Sequence, residues 1–163
     1  MTYPDATYLA DEGEVSAVFR TADAPPELSI GGGRTNVHHL ATGATTDGHF
    51  GLYRWEMGAA QTGGSPHFHR TFSESFFILE GKVDLYDGDA WATREPGDFL
   101  YAPPGGIHAF RNADGPAAML VLFAPGAPRE PYFEALAEIV ESGRELSPEE
   151  WTELYARHDQ FMV

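Results

Sequence analysis

A chain of 163 residues with 25 acidic and 10 basic side chains, a net charge of −15 and no cysteine excludes several classes before any motif is read. No basic run supplies the phosphate-neutralising surface that nucleic-acid binding depends on, so neither nucleic acid nor an anionic membrane is expected as a partner. With 42% apolar and 13% aromatic residues the chain is too rich for a disordered acidic tail, and without thiols any metal must be held by nitrogen and oxygen.

The N-terminal 30 residues hold six acids and one base. Ala24-Pro25-Pro26 reads as a linker, and Val15 to Phe19 as an edge strand or a swapped arm. The opening MTYPDATYLADEGE has neither the basic nor the apolar region of a signal peptide. The longest apolar stretch, ending at Ala124, falls far short of the roughly 20 residues a bilayer crossing requires. A soluble, cytoplasmic protein is expected.

From residue 31 to 128 the charge is nearly balanced, ten acids against six bases, and six of the seven histidines lie here. Phe50 to Met57 alternates, with Tyr53, Trp55 and Met57 on one side and Arg54 and Glu56 on the other, the period of a half-buried strand. Phe76 to Leu79 is apolar without a break and predicts a strand covered on both faces. Lys82 to Tyr86 alternates again, Asp87-Gly88 supplies a hairpin turn, and Ala90 to Arg94 follows. Phe99 to Ala102, Ala109 to Asn112 and Ala118 to Phe123 complete a run of short strands with turn signals about every ten residues, the mark of a sandwich or barrel.

After Pro128 the period changes. Phe133, Leu136, Ala137 and Val140 recur at helical spacing over Glu130 to Glu141. Ser147-Pro148-Glu149-Glu150 is a capping box with proline at the first helical position, opening a second helix through Trp151, Leu154, Tyr155 and His158. The expected organisation is an N-terminal arm over 1–35, an all-β barrel over 36–126 and a helical extension over 127–163, its two helices packed outside the barrel.

Chemistry concentrates in the balanced zone. Ser65-Pro66-His67-Phe68-His69 places two imidazoles on one face of an extended segment. Glu74 follows at the head of the next strand, and His108 stands just beyond the Pro103-Pro104-Gly105-Gly106 turn. One ion held by three neutral imidazoles and one carboxylate would satisfy all four, although a His-x-His pair on its own is more often solvent-facing.

The frame around these residues resembles the cupin superfamily. Its first motif, G-x5-H-x-H-x3,4-E-x6-G, is met by His67, His69, Glu74 and Gly81, with Gln61 standing where the opening glycine is expected. Its second, G-x5-P-x-G-x2-H-x3-N, is met by Gly97, Pro103, Gly105, His108 and Asn112. The resemblance implies a jelly-roll β-barrel in which His67, His69, Glu74 and His108 are the metal ligands.

Such a set suits one divalent transition-metal ion. Iron, manganese or nickel is favoured, because an octahedral ion keeps positions open, whereas tetrahedral zinc would be closed by four ligands. Glu74 can also serve as a general base. Residues of matching parity, Tyr53, Trp55, Met57, Phe76, Ile78 and Phe110, are expected to line an apolar pocket, with no lysine or arginine facing inward.

The function expected from this resemblance is a quercetinase-like dioxygenase acting on a hydroxylated aromatic or enolic small molecule. The alternatives are a metal-assisted cyclase or isomerase of a polyketide-like or sugar substrate, and a non-enzymatic small-molecule-binding module. A homodimer is expected, as is common in the family.

Overall fold

The computed structural model describes residues 2–163. In chain order they form β1 (Leu28–Ile30), β2 (Thr35–Ala41), β3 (Gly51–Met57), β4 (His67–Phe68), β5 (Ser73–Glu80), β6 (Val83–Tyr86), β7 (Trp91–Arg94), β8 (Phe99–Ala102), β9 (Ala109–Asn112), β10 (Ala117–Ala124), α1 (Glu130–Ser142), α2 (Pro148–Arg157) and β11 (Phe161–Met162). A six-stranded sheet runs β1-β2-β3-β10-β5-β8, a three-stranded sheet β7-β6-β9, and β11 pairs with β4. The named pairings are antiparallel. Because β10 lies between β3 and β5, late and early strands interleave, the crossover pattern of a jelly roll.

Alternation along the strands builds the interior. Tyr53 on β3, Phe76 and Ile78 on β5, Val83 on β6 and Met119 on β10 are fully buried. Gly31, Gly32 and Gly33 all adopt left-handed φ, from 62° to 88°, and this tight reversal lets Ile30 pair with Thr35 across the β1–β2 hairpin. The glycine cluster is a turn, as its lack of a following Lys-Ser/Thr implies.

The helices start and stop where their local chemistry dictates. Ser147 caps α2, its hydroxyl accepting from the Glu150 amide while the Glu150 carboxylate accepts from the Ser147 amide. Gly143 ends α1 in the left-handed conformation. Tyr132, Phe133 and Ala137 of α1 are buried, and Phe133 packs edge-on against Tyr53 and Trp55. The apolar stripe of α1 thus closes over the sheet.

Two expectations are corrected. Residues 15–19 form no strand, and Val15, Val18 and Phe19 are almost fully exposed; the edge of β2 is taken by β1. Residues 76–79 are not covered on both faces either. Phe76 and Ile78 point into the core, while Phe77 is 40% exposed and lies opposite Phe99, itself 62% exposed. Among the described residues no helix is long and apolar enough to cross a membrane.

Candidate metal centre

Three separate pieces of chain bring the motif residues together. His67 and His108 exchange both main-chain hydrogen bonds, at 3.0 and 2.9 Å, which sets their rings 4.6 Å apart. His69 follows two residues on, its carbonyl accepting from the Gly105 amide at 2.7 Å, so the Pro-Gly turn of the second motif is anchored to the first. Glu74 enters from the head of β5. One ligand atom from each of His67, His69, Glu74 and His108 lies within 4.8 Å of the others, and all four residues are buried.

The donor set can be tested for its fit to a cation. The Nδ1 of His67, His69 and His108 donates to the carbonyl of Ser65, Asp159 and Gly106, at 2.8, 2.6 and 2.8 Å. A neutral imidazole so bonded carries its lone pair on Nε2. Nε2 of His69 and of His108 nevertheless stands 2.9 Å from one carboxylate oxygen, Glu74 Oε2. Lone pair against carboxylate repels unless a proton or a metal ion lies between them. Three outward-anchored imidazoles converging on one buried carboxylate therefore fit a metal ion, and the backbone carbonyls fix the tautomer each ring needs.

The electrostatics follow from the same contacts. Burial would raise the Glu74 carboxyl, but hydrogen bonds from the His108 and His69 imidazoles in their protonated form outweigh it and hold the group well below the usual carboxylate range. Burial pushes the His67 imidazole down to about 4, so it is neutral and free to ligate. On His108 burial acts against the charge, yet the Glu74 carboxylate prevails and raises the pKa.

The cluster opens onto a cavity of about 350 Å³ whose wall includes His67 and Glu74 together with Trp55, Phe110, Phe123 and Phe133. Of the six side chains expected on a pocket wall, Trp55 and Phe110 line this cavity. Tyr53, Met57, Phe76 and Ile78 are buried in the core instead. They share the parity of the ligands, but the interior beneath them is packed solid: the Phe76 ring lies 5.5 Å from Phe110 and 5.7 Å from His108.

Further cavity residues come from outside the strands. Tyr132, Phe133, Leu136 and Val140 of α1 contribute a wall, as do Gln160 and Arg34. The helical spacing of Phe133, Leu136 and Val140 marks an apolar face without saying what it covers, and no sequence signal singles out Gln160. The absence of inward arginines is also corrected. Arg34 borders the cavity, and Arg129 is 4% exposed, donating to the His158 carbonyl at 2.7 Å and to Gln160 Oε1 at 3.3 Å with its guanidinium 4.5 Å from the Tyr132 ring. Its charge is buried and internally engaged, which strand parity cannot reveal for a residue at a helix start.

His38 and His39 do not reach the cavity. His38 Nε2 lies 3.2 Å from the Glu56 carboxylate, and His39 packs edge-on against Tyr53. Asn112 holds a different part of the wall: its Oδ1 accepts from the Thr62 amide at 2.7 Å and its Nδ2 donates to the Gly58 carbonyl at 3.1 Å. That loop carries Gly63, where a Cβ would meet the Phe110 carbonyl oxygen at 2.2 Å. The close approach that needs a glycine is thus made two residues beyond Gln61.

Comparison with known proteins agrees with this architecture. Residues 53–123 match the cupin domain model. The chain is 31% identical over 72 residues to quercetin 2,3-dioxygenase of Bacillus subtilis (strain 168), covering 44% of this chain and 21% of that protein. It spans half the length or less of the curated relatives it matches. Among solved structures, a predicted oxalate decarboxylase of Thermotoga maritima superposes with a TM-score of 0.57 at 21% identity, covering 67% of this chain and 99% of that one. The polyketide cyclase RemF of Streptomyces resistomycificus gives 0.54 at 23% identity, covering 71% and 82%. At these identities the two structures speak for the fold alone. Motif residues, strand order and domain match converge: residues 53–123 of this chain are a cupin domain.

Proposed function

We propose that this protein is a mononuclear metal-dependent dioxygenase acting on a hydroxylated aromatic or enolic small molecule. The observation that carries this reading is the opening of a buried three-histidine, one-glutamate cluster, through His67 and Glu74, onto an aromatic-walled cavity of about 350 Å³. The local likeness to quercetin 2,3-dioxygenase supports it.

A divalent ion such as iron, manganese or nickel, held by His67, His69, Glu74 and His108, would supply Lewis acidity toward an enol or phenol oxygen. The chain's own residues do the rest. Trp55, Phe110, Phe133 and Leu136 bind the flat apolar body of the substrate and exclude water. Glu74 lies on the cavity wall, where it would accept a hydrogen bond from a substrate hydroxyl and take its proton once the ion has made that hydroxyl more acidic. Tyr132, pushed up to about 12 chiefly by burial, keeps its proton and offers a hydrogen bond to a substrate oxygen. In a dioxygenation the substrate supplies the electrons and both oxygen atoms enter the product, so no external reductant is needed.

The test is oxygen uptake by protein purified without chelators and loaded with each candidate metal, against flavonols and catechols, with ¹⁸O₂ labelling of the product. The expected outcome is one O₂ consumed per substrate, with label incorporated. Turnover without uptake would replace this reading by metal-assisted cyclisation or isomerisation. Failure to retain a stoichiometric transition metal would remove the enzyme readings together.

A further inference from the structure

The C-terminal tail that follows α2 reaches back across the whole chain to the first motif. There the main-chain carbonyl of Asp159 accepts from Nδ1 of His69 at 2.6 Å. The other two ligand histidines take this contact from a residue two positions away, Ser65 and Gly106. His69 alone among the three is oriented from 90 residues downstream. The carboxylate of the same residue turns to the loop after His69, where one oxygen, Oδ2, accepts from the Arg70 amide at 3.0 Å, the Thr71 amide at 2.8 Å and the Thr71 hydroxyl at 2.7 Å. Asp159 holds both contacts in the left-handed region, at φ 53°, a conformation more accessible to Asp, Asn and Gly than to other residues.

Independent contacts keep the tail in register. β11 pairs with β4, Phe161 opposite Phe68 and Met162 opposite His67. The Phe161 and Phe68 rings stack at 5.3 Å, the Arg70 guanidinium lies 4.0 Å from the Phe161 ring centroid, and the Val163 amide donates to the Pro66 carbonyl at 3.2 Å. Arg129 ties the start of the tail to the start of α1 through the His158 carbonyl. Both histidine ligands of the first motif are therefore flanked by a contact from the tail.

We infer that residues 158–163 are a working part of the metal centre, with Asp159 the positioning residue that sets the tautomer and direction of His69 and clamps the loop leading to Glu74. The inference rests on the metal-centre reading but not on any particular reaction. Metal-ligating histidines depend on the acceptor at their second nitrogen, and loss of such a partner typically weakens metal binding by about 10- to 100-fold. The physical reason is that an unanchored ring samples the wrong tautomer and orientation.

The experiment uses the full chain and Co²⁺ as the probe ion, following affinity by titration and coordination by the visible absorption spectrum. Asp159→Gly keeps the left-handed backbone accessible and removes the clamp. It keeps the main-chain carbonyl that His69 needs but frees the segment that presents it, and is expected to weaken Co²⁺ binding about 10-fold, the low end of the range for an acceptor lost outright, and to change the spectrum. Asp159→Asn preserves an acceptor oxygen in the same place and is expected to stay within about threefold of the parent, a rescue that a merely structural defect would not show. Thr71→Val, an exposed change that removes one of the three bonds, covers the case in which Asp159→Gly does not fold, and is expected to weaken binding by a smaller factor. Affinity and spectrum unchanged in Asp159→Gly, or in Thr71→Val where the first variant does not fold, would overturn the inference while leaving the metal centre intact. No Co²⁺ binding by the unaltered protein would overturn both.

Discussion

At Glu74 Oε2 two imidazole nitrogens, from His69 and His108, converge at 2.9 Å, so the metal-free centre needs a proton where an ion would otherwise sit. The pKa directions favour His108 as one carrier of such a proton. His67, pushed down to about 4, carries none near neutrality, and Glu74 is held low, whereas His108 is raised above the ordinary value of 6.5. A metal ion takes the imidazole lone pair, so binding expels the His108 proton wherever it is present. Affinity for Co²⁺ should therefore fall as pH falls through the raised His108 pKa and level off above it. Calorimetry in buffers of different ionisation enthalpy, from about pH 6.5 upward, should register proton release that fades toward alkaline pH. A flat affinity with no proton released would contradict this assignment. Glu74→Gln removes both the ligand charge and the cause of the His108 shift. It should weaken binding by more than the about 10- to 100-fold typical of losing an outer partner, and the pH dependence should move toward that of an ordinary imidazole.

Among the elements, α1 does two jobs with one apolar stripe. Phe133, 4% exposed, sets its ring 5.4 Å from Tyr53 and 5.1 Å from Trp55, while Leu136 and Val140 continue the stripe along the cavity. Phe133→Ala removes a buried ring from the shared core and should cost about 3–5 kcal/mol, measured as a drop in the urea midpoint. A loss below about 1 kcal/mol would mean that the helix does not share the barrel core. The capping box of α2 and the alternation of β3 and β6 were legible in the residues themselves, because each is a local pattern spanning several positions. The four residues of the candidate metal site, which the structure brings together, were legible through two spaced motifs. β4 and β11 were not, since two-residue strands carry no period. Asp159 and Gln160 were equally silent, because their role is created by a tail folding back over a distant segment. Parity separated inward from outward side chains correctly at Tyr53, Phe76 and Ile78, but it could not tell solid core from cavity wall.

For the whole molecule, charge and apolar exposure occupy different places. Of the net −15, the segments 1–30 and 129–163 carry fifteen acids against four bases, a net of −11. One face of the β5–β8 edge is instead apolar, with Phe77, Phe99 and Tyr101 exposed by 40%, 62% and 55%, and Phe99 and Phe77 are register partners there. Val15, Val18 and Phe19 lie fully open on a segment without secondary structure. Apolar residues grouped at a sheet edge invite pairing with another chain, and we propose that a second copy covers this face. The edge brings its own unpaired backbone groups, and the contact residues carry no charge, so apolar burial would drive association. Two copies of a −15 chain also repel one another at long range, and salt shortens the range of that repulsion, to about 8 Å at physiological strength. The dimer should therefore tighten as salt is raised, the reverse of an interface held by ion pairs. Light scattering is expected to give twice the 17.8 kDa chain mass, with the monomer fraction falling as salt rises. Phe99→Glu, a change at an exposed position that leaves the core untouched, should return the protein to monomer. A chain that is monomeric at every salt concentration, or a Phe99→Glu variant that still dimerises with unaltered affinity, would show that this face is not the interface.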